Sequence, residues 1–436
     1  MPMTPLSRRS FAFSAGRALT ALQATRVLGA SDRVQMAIVG LGGRGRDHMD
    51  LYAAAPNCDI AALCDVDQAA LERGAARVRA AGAQEPRGYR DMREVFADKR
   101  VDAVSMPLPN HWHALATIWA CQAGKDVYIE KPASHNVYEG IQMEAAARRY
   151  KRIVQVGSHS RSMVHKRRAI GMLQQGLIGR IYLAKAICFK RRLSIGHAAD
   201  GPVPPGVDWD RFLGPAPMRP FNPLRFKYNW HWFWDTGNGD IGNMGPHEID
   251  MARWALQKEE APVGVHSTGG IYGYKDDRET PNTQWAEFDY GDSKLVFEAR
   301  GLLTGPEGDL RPDKDGNIIG NLFFGSEGWA SLQGDGFRAY KGESRERIVN
   351  ETGNDSSLPH VVNFLEAVRS RNPAHLHAGI EVGALSAALA HIANISYRTG
   401  RKLAFDPKSM RFPGDEAANG LLTRQYRAPY VVPKEV

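Results

Sequence analysis

An apolar run, Val34-Gln-Met-Ala-Ile-Val39, empties directly into Gly40-Leu-Gly-Gly-Arg-Gly45, and no other stretch of the 436 residues restricts the fold as strongly. A strand that turns into a helix through G-x-G-x-x-G needs glycine for three separate reasons: a tight turn, close backbone approach to a diphosphate, and close packing of helix on strand. The helix beginning near Gly45 then presents its positive end to the anion. With 44 Gly in the chain the spacing is weak evidence alone, so its context has to carry the argument. A second apolar run, Asp59-Ile-Ala-Ala-Leu-Cys-Asp65, ends in an acid 20 residues after Gly45, where an adenosine ribose needs a hydroxyl acceptor. An acid there repels a 2′-phosphate, so NAD is favoured over NADP, with Arg44 in the turn as a weaker argument the other way. The cofactor-facing set read from these segments is Gly40, Leu41, Gly42, Gly43, Arg44, Gly45 and Asp65.

Composition narrows the classes. The net charge is +8, but the basic residues are scattered and no nucleic-acid motif accompanies them, so a nucleic-acid partner is not expected. No run reaches the ~18 apolar residues that a membrane-spanning helix needs. The four cysteines, Cys58, Cys64, Cys121 and Cys188, show neither C-x-x-C nor paired spacing and read as buried free thiols. Fourteen His are present without H-E-x-x-H or C-x-x-C, and no metal site is expected. The N-terminal Ser7-Arg8-Arg9-Ser10-Phe11, followed by an acid-free stretch to Ala30, resembles a twin-arginine export signal. Residues 1–30 are therefore set apart from the fold and the protein is expected to be periplasmic or otherwise exported, with a cytoplasmic leader as the alternative.

From 31 to 160 short apolar runs alternate with helical stretches, which predicts a parallel sheet covered on both faces, a Rossmann domain. Strands are expected at 34–40, 59–65, 101–107, 126–130 and 152–157, with helices near 45–55, 67–81, 91–98, 111–123 and 136–150. Two strand tips, at Pro109-Asn-His-Trp-His113 and Glu130-Lys-Pro132, should face the cofactor. From 161 to 405 alternating segments at 179–190, 263–274, 284–290, 293–300, 321–332 and 336–349 predict an α/β domain with a mainly antiparallel sheet. A Pro-, Trp- and Gly-rich segment from Gly201 to Gly245 is too long and aromatic for a passive linker. Within it Tyr228, Trp230 and His231 read either as a platform for a sugar ring or as a structural aromatic cluster. Helices are expected near 359–371 and 378–399, and the tail 406–436 reads as loosely docked or as an arm around a neighbouring subunit.

Gly40-Leu-Gly-Gly-Arg-Gly45, Pro109-Asn-His-Trp-His113, Glu130-Lys131-Pro132 and Gly245-Pro-His247-Glu-Ile-Asp250 together resemble the glucose–fructose oxidoreductase, inositol dehydrogenase and rhizopine catabolism protein family, over residues 34 to about 400. The resemblance implies a Rossmann domain followed by an α/β domain with an open, mainly antiparallel sheet, NAD(P) as cofactor and a sugar or cyclitol as substrate. By position it adds Pro109, Asn110, His113, Glu130 and Lys131 to the cofactor set. It also places Lys131 beside the nicotinamide and the reacting hydroxyl, and makes His247 the acid/base residue. The expected assembly is a homo-oligomer, dimer or tetramer, through the open sheet.

The chemistry of the residues agrees: an imidazole can take the hydroxyl proton of a secondary alcohol, and a lysine near a cationic nicotinamide has its ammonium form disfavoured. The sequence departs from the family at Asn243, where many members carry an aspartate four residues before the histidine; an amide holds a hydroxyl but takes no proton. Asp240 is the nearby acid that could compensate. Three functions follow: a dehydrogenase of sugars or cyclitols, an exported NAD-retaining glycosidase working by oxidation, elimination and re-reduction, and a non-catalytic binding protein.

Overall fold

The computed structural model describes residues 33–343 and 345–436, so the twin-arginine-like segment lies outside the described residues. Six parallel strands form the first sheet: β1 (Val34–Val39), β2 (Cys58–Cys64), β3 (Arg87–Tyr89), β4 (Ala103–Met106), β5 (Asp126–Ile129) and β6 (Val154–Val156), in the order β3-β2-β1-β4-β5-β6. All four residues of β4 and of β5 are buried, as expected of strands covered by helices on both faces. The strand order reverses between β1 and β4, and the crevice at their carboxyl ends is where ligands bind in such sheets. The sequence pattern gives five of these strands. The sixth, β3, is an edge strand whose three residues, Arg87-Gly-Tyr89, are exposed or half-buried and so carry no apolar period.

The second sheet has nine strands: β7 (Ile181–Phe189), β8 (Gly264–Gly270), β9 (Thr283–Asp289), β10 (Lys294–Arg300), β11 (Ile318–Gly325), β12 (Gly328–Gln333), β13 (Gly336–Lys341), β14 (Glu346–Thr352) and β15 (Leu403–Ala404). Its order is β14-β13-β12-β11-β7-β10-β9-β8-β15, antiparallel throughout except where β7 lies parallel to β10. The segments read as 321–332 and 336–349 are each two strands joined by a tight turn. Ser326-Glu327 is a weak turn signal, and the alternation runs on across both turns.

Helix Ile380–Thr399 fastens the two sheets together: Ala384 and Ala387 join the core around β4 and β5, while Leu389, Ile392 and Ile395 join the core under the second sheet. Small residues let it approach closely, and a Cβ on Gly383 would stand 2.4 Å from the Val156 side chain. Helix Leu358–Ser370 lays Val361, Phe364 and Val368 on the first sheet beside Val34 and Met36. Each such fully buried side chain contributes about 1.5–3 kcal/mol. The tail is anchored on its own chain, which corrects the picture of a loose arm. Tyr430 is buried against Trp112, the Tyr138 hydroxyl donates to the Pro433 carbonyl at 2.8 Å, and Arg427 pairs with Asp210 at 2.5 Å. All four cysteines are buried and free, and no helix of the described residues is long and apolar enough to cross a membrane.

Candidate active site

A cavity of about 780 Å³ opens at the carboxyl ends of β1, β2 and β4 and runs from Asp65 past the glycine turn to Lys131 and Asn243. The three glycines do three jobs. Gly40 has φ +94°, and a Cβ on it would stand 2.9 Å from the Pro107 carbonyl oxygen. A Cβ on Gly45 would overlap the Gly40 carbonyl at 2.1 Å, so only glycine lets the helix lie on the strand. A Cβ on Gly42 or Gly43 would meet no protein atom within 4 Å; both residues line the cavity, so their backbone faces open space. The helix begins at Gly43, two residues earlier than the sequence suggests, with no side-chain cap and no acid in its first turn. Its end N–H groups and positive pole suit a diphosphate.

At the far side of the turn Asp65 accepts from the Leu41 N–H at 2.7 Å and from the Asp67 N–H at 2.8 Å. A carboxylate has about four acceptor positions, so two are left for ribose hydroxyls. Burial pushes its carboxyl above the ordinary range, against these two donors. Arg44 points its Nε at Glu130 Oε1 (2.8 Å) and reaches Asp47 at 3.4 Å, so its guanidinium is directed at these two carboxylates and not at Asp65. These residues fit NAD.

Glu130 is buried between Arg44, His48 (2.9 Å) and the Lys131 N–H (3.1 Å). Although burial opposes its charge, the Arg44 guanidinium and the His48 hydrogen bond hold its carboxyl well below the usual carboxylate range. The Lys131 ammonium donates to the Asn243 carbonyl at 2.7 Å and to its side-chain oxygen at 3.1 Å, joining the tip of β5 to the short helix Gly239–Asn243 across 112 residues of sequence. Burial lowers its pKa to about 8; Glu130 opposes the fall and Arg44, Arg192 and Lys190 add to it. Asn243 in turn donates to the Tyr228 hydroxyl at 3.4 Å, which also accepts from Arg192 at 3.1 Å. His247 stands in the first turn of helix Gly245–Ala255, its Nδ1 buried and without a hydrogen-bond partner, and burial holds the ring in its neutral form. It is therefore not a satisfied helix cap; the ring is a neutral imidazole whose protonation burial opposes, and it is not among the residues that line the cavity.

Other expected site residues are placed differently. Asp240 is buried and held by Arg192, Nε to Oδ1 at 3.0 Å and Nη2 to Oδ1 at 2.5 Å, and so is not a free acid replacing the missing one. Asn110 donates to Asn238 at 2.9 Å, and His113 is clamped between the Pro132 (2.6 Å) and Leu108 (2.8 Å) carbonyls. Both brace the strand tips and neither lines the cavity, whereas Pro109 and Leu41 do. The aromatic segment divides: Tyr228, Trp230 and His231 line the cavity, the last two stacked at 3.6 Å, while Trp232 and Phe233 are buried. Arg192 escapes sequence reading because an arginine in Lys190-Arg-Arg192 after a strand looks like a surface residue.

Residues 34–158 match the Gfo/Idh/MocA oxidoreductase family, NAD-binding Rossmann fold, and residues 163–272 and 332–432 match that family's C-terminal alpha/beta domain. The chain belongs to this oxidoreductase family, and NAD is the cofactor of its N-terminal domain. A glycosyl hydrolase family 109 protein of Saccharopolyspora erythraea is 31% identical over 157 residues, 35% of this chain and 34% of that protein. An uncharacterized oxidoreductase, YrbE of Bacillus subtilis, is 25% identical over 228 residues, 52% of this chain and 54% of that protein. The matches thus span about a third to a half of these curated relatives. The WlbA dehydrogenase of Bordetella pertussis, solved with NADH and UDP-GlcNAcA, shares the fold with a TM-score of 0.62 at 18% identity, over 86% of this chain and 99% of that one.

Proposed function

We propose that the protein is an NAD-dependent oxidoreductase that acts on a secondary alcohol of a sugar, cyclitol or sugar derivative. The observation that carries this reading is the convergence of Lys131, Asn243 and Tyr228 at one end of a cavity whose other end is lined by Asp65 and the glycine turn. Bound NAD supplies the acceptor for a hydride. The chain's own part is to orient the hydroxyl and move its proton. Asn243 and Tyr228 offer neutral hydrogen bonds to sugar hydroxyls, and Trp230 with His231 forms a flat face for the C–H side of a ring. Lys131, with its pKa near 8, can give or take a proton around neutrality, and His247 accepts one as a neutral imidazole.

A second reading, an NAD-retaining glycosidase, is favoured by one feature. Residues 206–208 lie against the adenosine side: the Gln68 N–H donates to the Gly206 carbonyl at 3.0 Å, the Asp208 N–H donates to the Val66 carbonyl at 2.9 Å, and Arg90 reaches Gly206 at 2.8 Å. If this segment closes over the adenosine end, bound NAD would leave slowly, which suits a protein exported with its NAD loaded, as the Arg8-Arg9 motif suggests. The subunits would associate through the open sheet. The test is to purify the protein, record its nicotinamide absorbance before and after denaturation, and assay reduction of added NAD against a panel of hexoses, cyclitols and methyl glycosides. Turnover of added NAD supports the dehydrogenase. Tightly bound NAD with glycoside cleavage and no net reduction supports the glycosidase, and neither activity with any panel member contradicts both.

A further inference from the structure

A second group of titratable side chains gathers where the turn His159–Ser162, helix Val164–Gln174, helix Gly245–Ala255 and the segment after β14 meet. The rings of His159 and His247 stand edge to face, 4.8 Å between centroids and 67° apart. Nδ1 of each ring is buried and has no hydrogen-bond partner among the described residues. On its other side His159 Nε2 lies 3.7 Å from Asp355 Oδ1, and the Asp355 side chain is 61% exposed. Sequence reading passes over His159, because nothing in Gly157-Ser-His-Ser160 marks it.

We propose that His159 is the proton partner of His247 and that Asp355 completes the path, so that a proton taken from the substrate hydroxyl leaves the site through these three side chains. This rests on the reading that His247 is the base. In the oxidation direction the O–H bond breaks and its proton goes to His247. The hydride leaves carbon for NAD, a C=O bond forms, and the proton passes through His159 and Asp355 to water. One alcohol is oxidised, one NAD reduced and one proton released.

The surroundings favour this direction of travel. Two imidazoles in ring contact do not both hold a proton at low cost, so a charge on one weakens the other's hold on a proton. The rings touch without an N–H···N bond, and transfer between them requires a ring rotation or a bridging water. Burial is the largest influence on both rings and opposes a charge on either; of the groups facing the pair, Arg44, Lys131 and Lys166 add to that, while Glu130 and Asp355 favour a charged ring. Lys166 is committed to the Ser160 hydroxyl at 3.0 Å, Glu130 to Arg44 and His48, and Glu248, buried beside His247, faces Lys166, Asp250 and Asp355. Asp355 is thus the carboxylate beside His159 that opens to solvent.

The test begins without any ligand, by following the imidazole nitrogens of the full chain by NMR across pH. Replacing His159 (His159→Asn) should raise the titration midpoint of His247, and Asp355→Asn should lower that of His159; unchanged midpoints in both variants overturn the proposal. On the alcohol identified from the sugar panel, His159→Asn should lower turnover by up to about 10²-fold, the lower end for acid–base groups, and added imidazole should restore it. Full turnover in His159→Asn, or a loss that imidazole leaves untouched while the fold is intact, overturns it. Asp355→Asn, on the exposed side, repeats the kinetic test should His159→Asn fold poorly. Failure of the underlying reading shows differently, as full turnover by His247→Ala.

Discussion

At the glycine turn six consecutive residues shape one end of the cavity, largely by what their own backbone does. Where Lys131 and Asn243 line the other end of the same cavity, and in the layer of side chains behind them, four segments far apart in sequence converge: Lys131 meets Asn243 across 112 residues, Arg192 meets Asp240 across 48, and His247 leans on His159. The first region is local and its roles are set by steric geometry. The second is tertiary, and a residue's role there depends on which partner has already claimed it. Asp240 and Asn243 lie three residues apart on one short helix, yet one is locked in an ion pair and the other faces the cavity.

The largest expected effects are at the tertiary end. Lys131→Ala and His247→Ala should each reduce turnover by ~10²–10⁴ with NAD affinity nearly unchanged, and the double variant should lose far less than the product of the singles, because groups that act as a unit are not additive. Steady-state kinetics with calorimetric NAD titration decides this; additive losses would show that the two act separately. Next is Asp240→Asn, which leaves the buried Arg192 guanidinium unpaired. It should cost about 3–5 kcal/mol of stability by denaturant titration, the signature of a structural pair and not of a proton carrier.

The local end is tested by two neighbouring glycines. Gly45→Ala puts a Cβ on the Gly40 carbonyl and should destabilise the domain by at least the ~1–3 kcal/mol of an overpacked core. Gly42→Ala puts a methyl into empty cavity and should leave the melting temperature alone while weakening NAD. Equal melting temperatures for the two variants would break the local picture.

A further effect, summed over several buried rings and not traceable to one of them, is on acid stability. Burial lowers the pKa of His111 to about 3 and those of His360 and His391 to about 4. The unfolded chain binds these protons near the ordinary value of about 6.5, so below that pH the unfolded state holds more protons and stability falls, by ~1.4 kcal/mol per histidine per pH unit down to the folded pKa. Denaturant midpoints measured from about pH 7 to 5 should decline accordingly, and a flat profile would show that these rings take up protons in the fold as readily as in the unfolded chain.

The same contrast explains what sequence could give. The strands around the glycine turn, and the three reasons for its glycines, are legible because the run Val34–Val39 and the G-x-G-x-x-G spacing act on the residues that carry them. Lys131 and His247 are legible only through family resemblance. Asn110 and His113 belong to the same resembling segment, yet their hydrogen bonds go to Asn238 and to two carbonyls of their own domain. Arg192 and His159 have no local signal, since both take their meaning from partners that only the folded chain supplies.

The account stands most directly on where NAD lies, and a crystal structure of the protein with NAD measures that. The diphosphate should rest on the Gly42–Arg44 backbone amides, the adenosine ribose on Asp65, and the nicotinamide against Lys131 with His247 across the substrate space. A nicotinamide directed away from Lys131, or a ribose that does not touch Asp65, would contradict it.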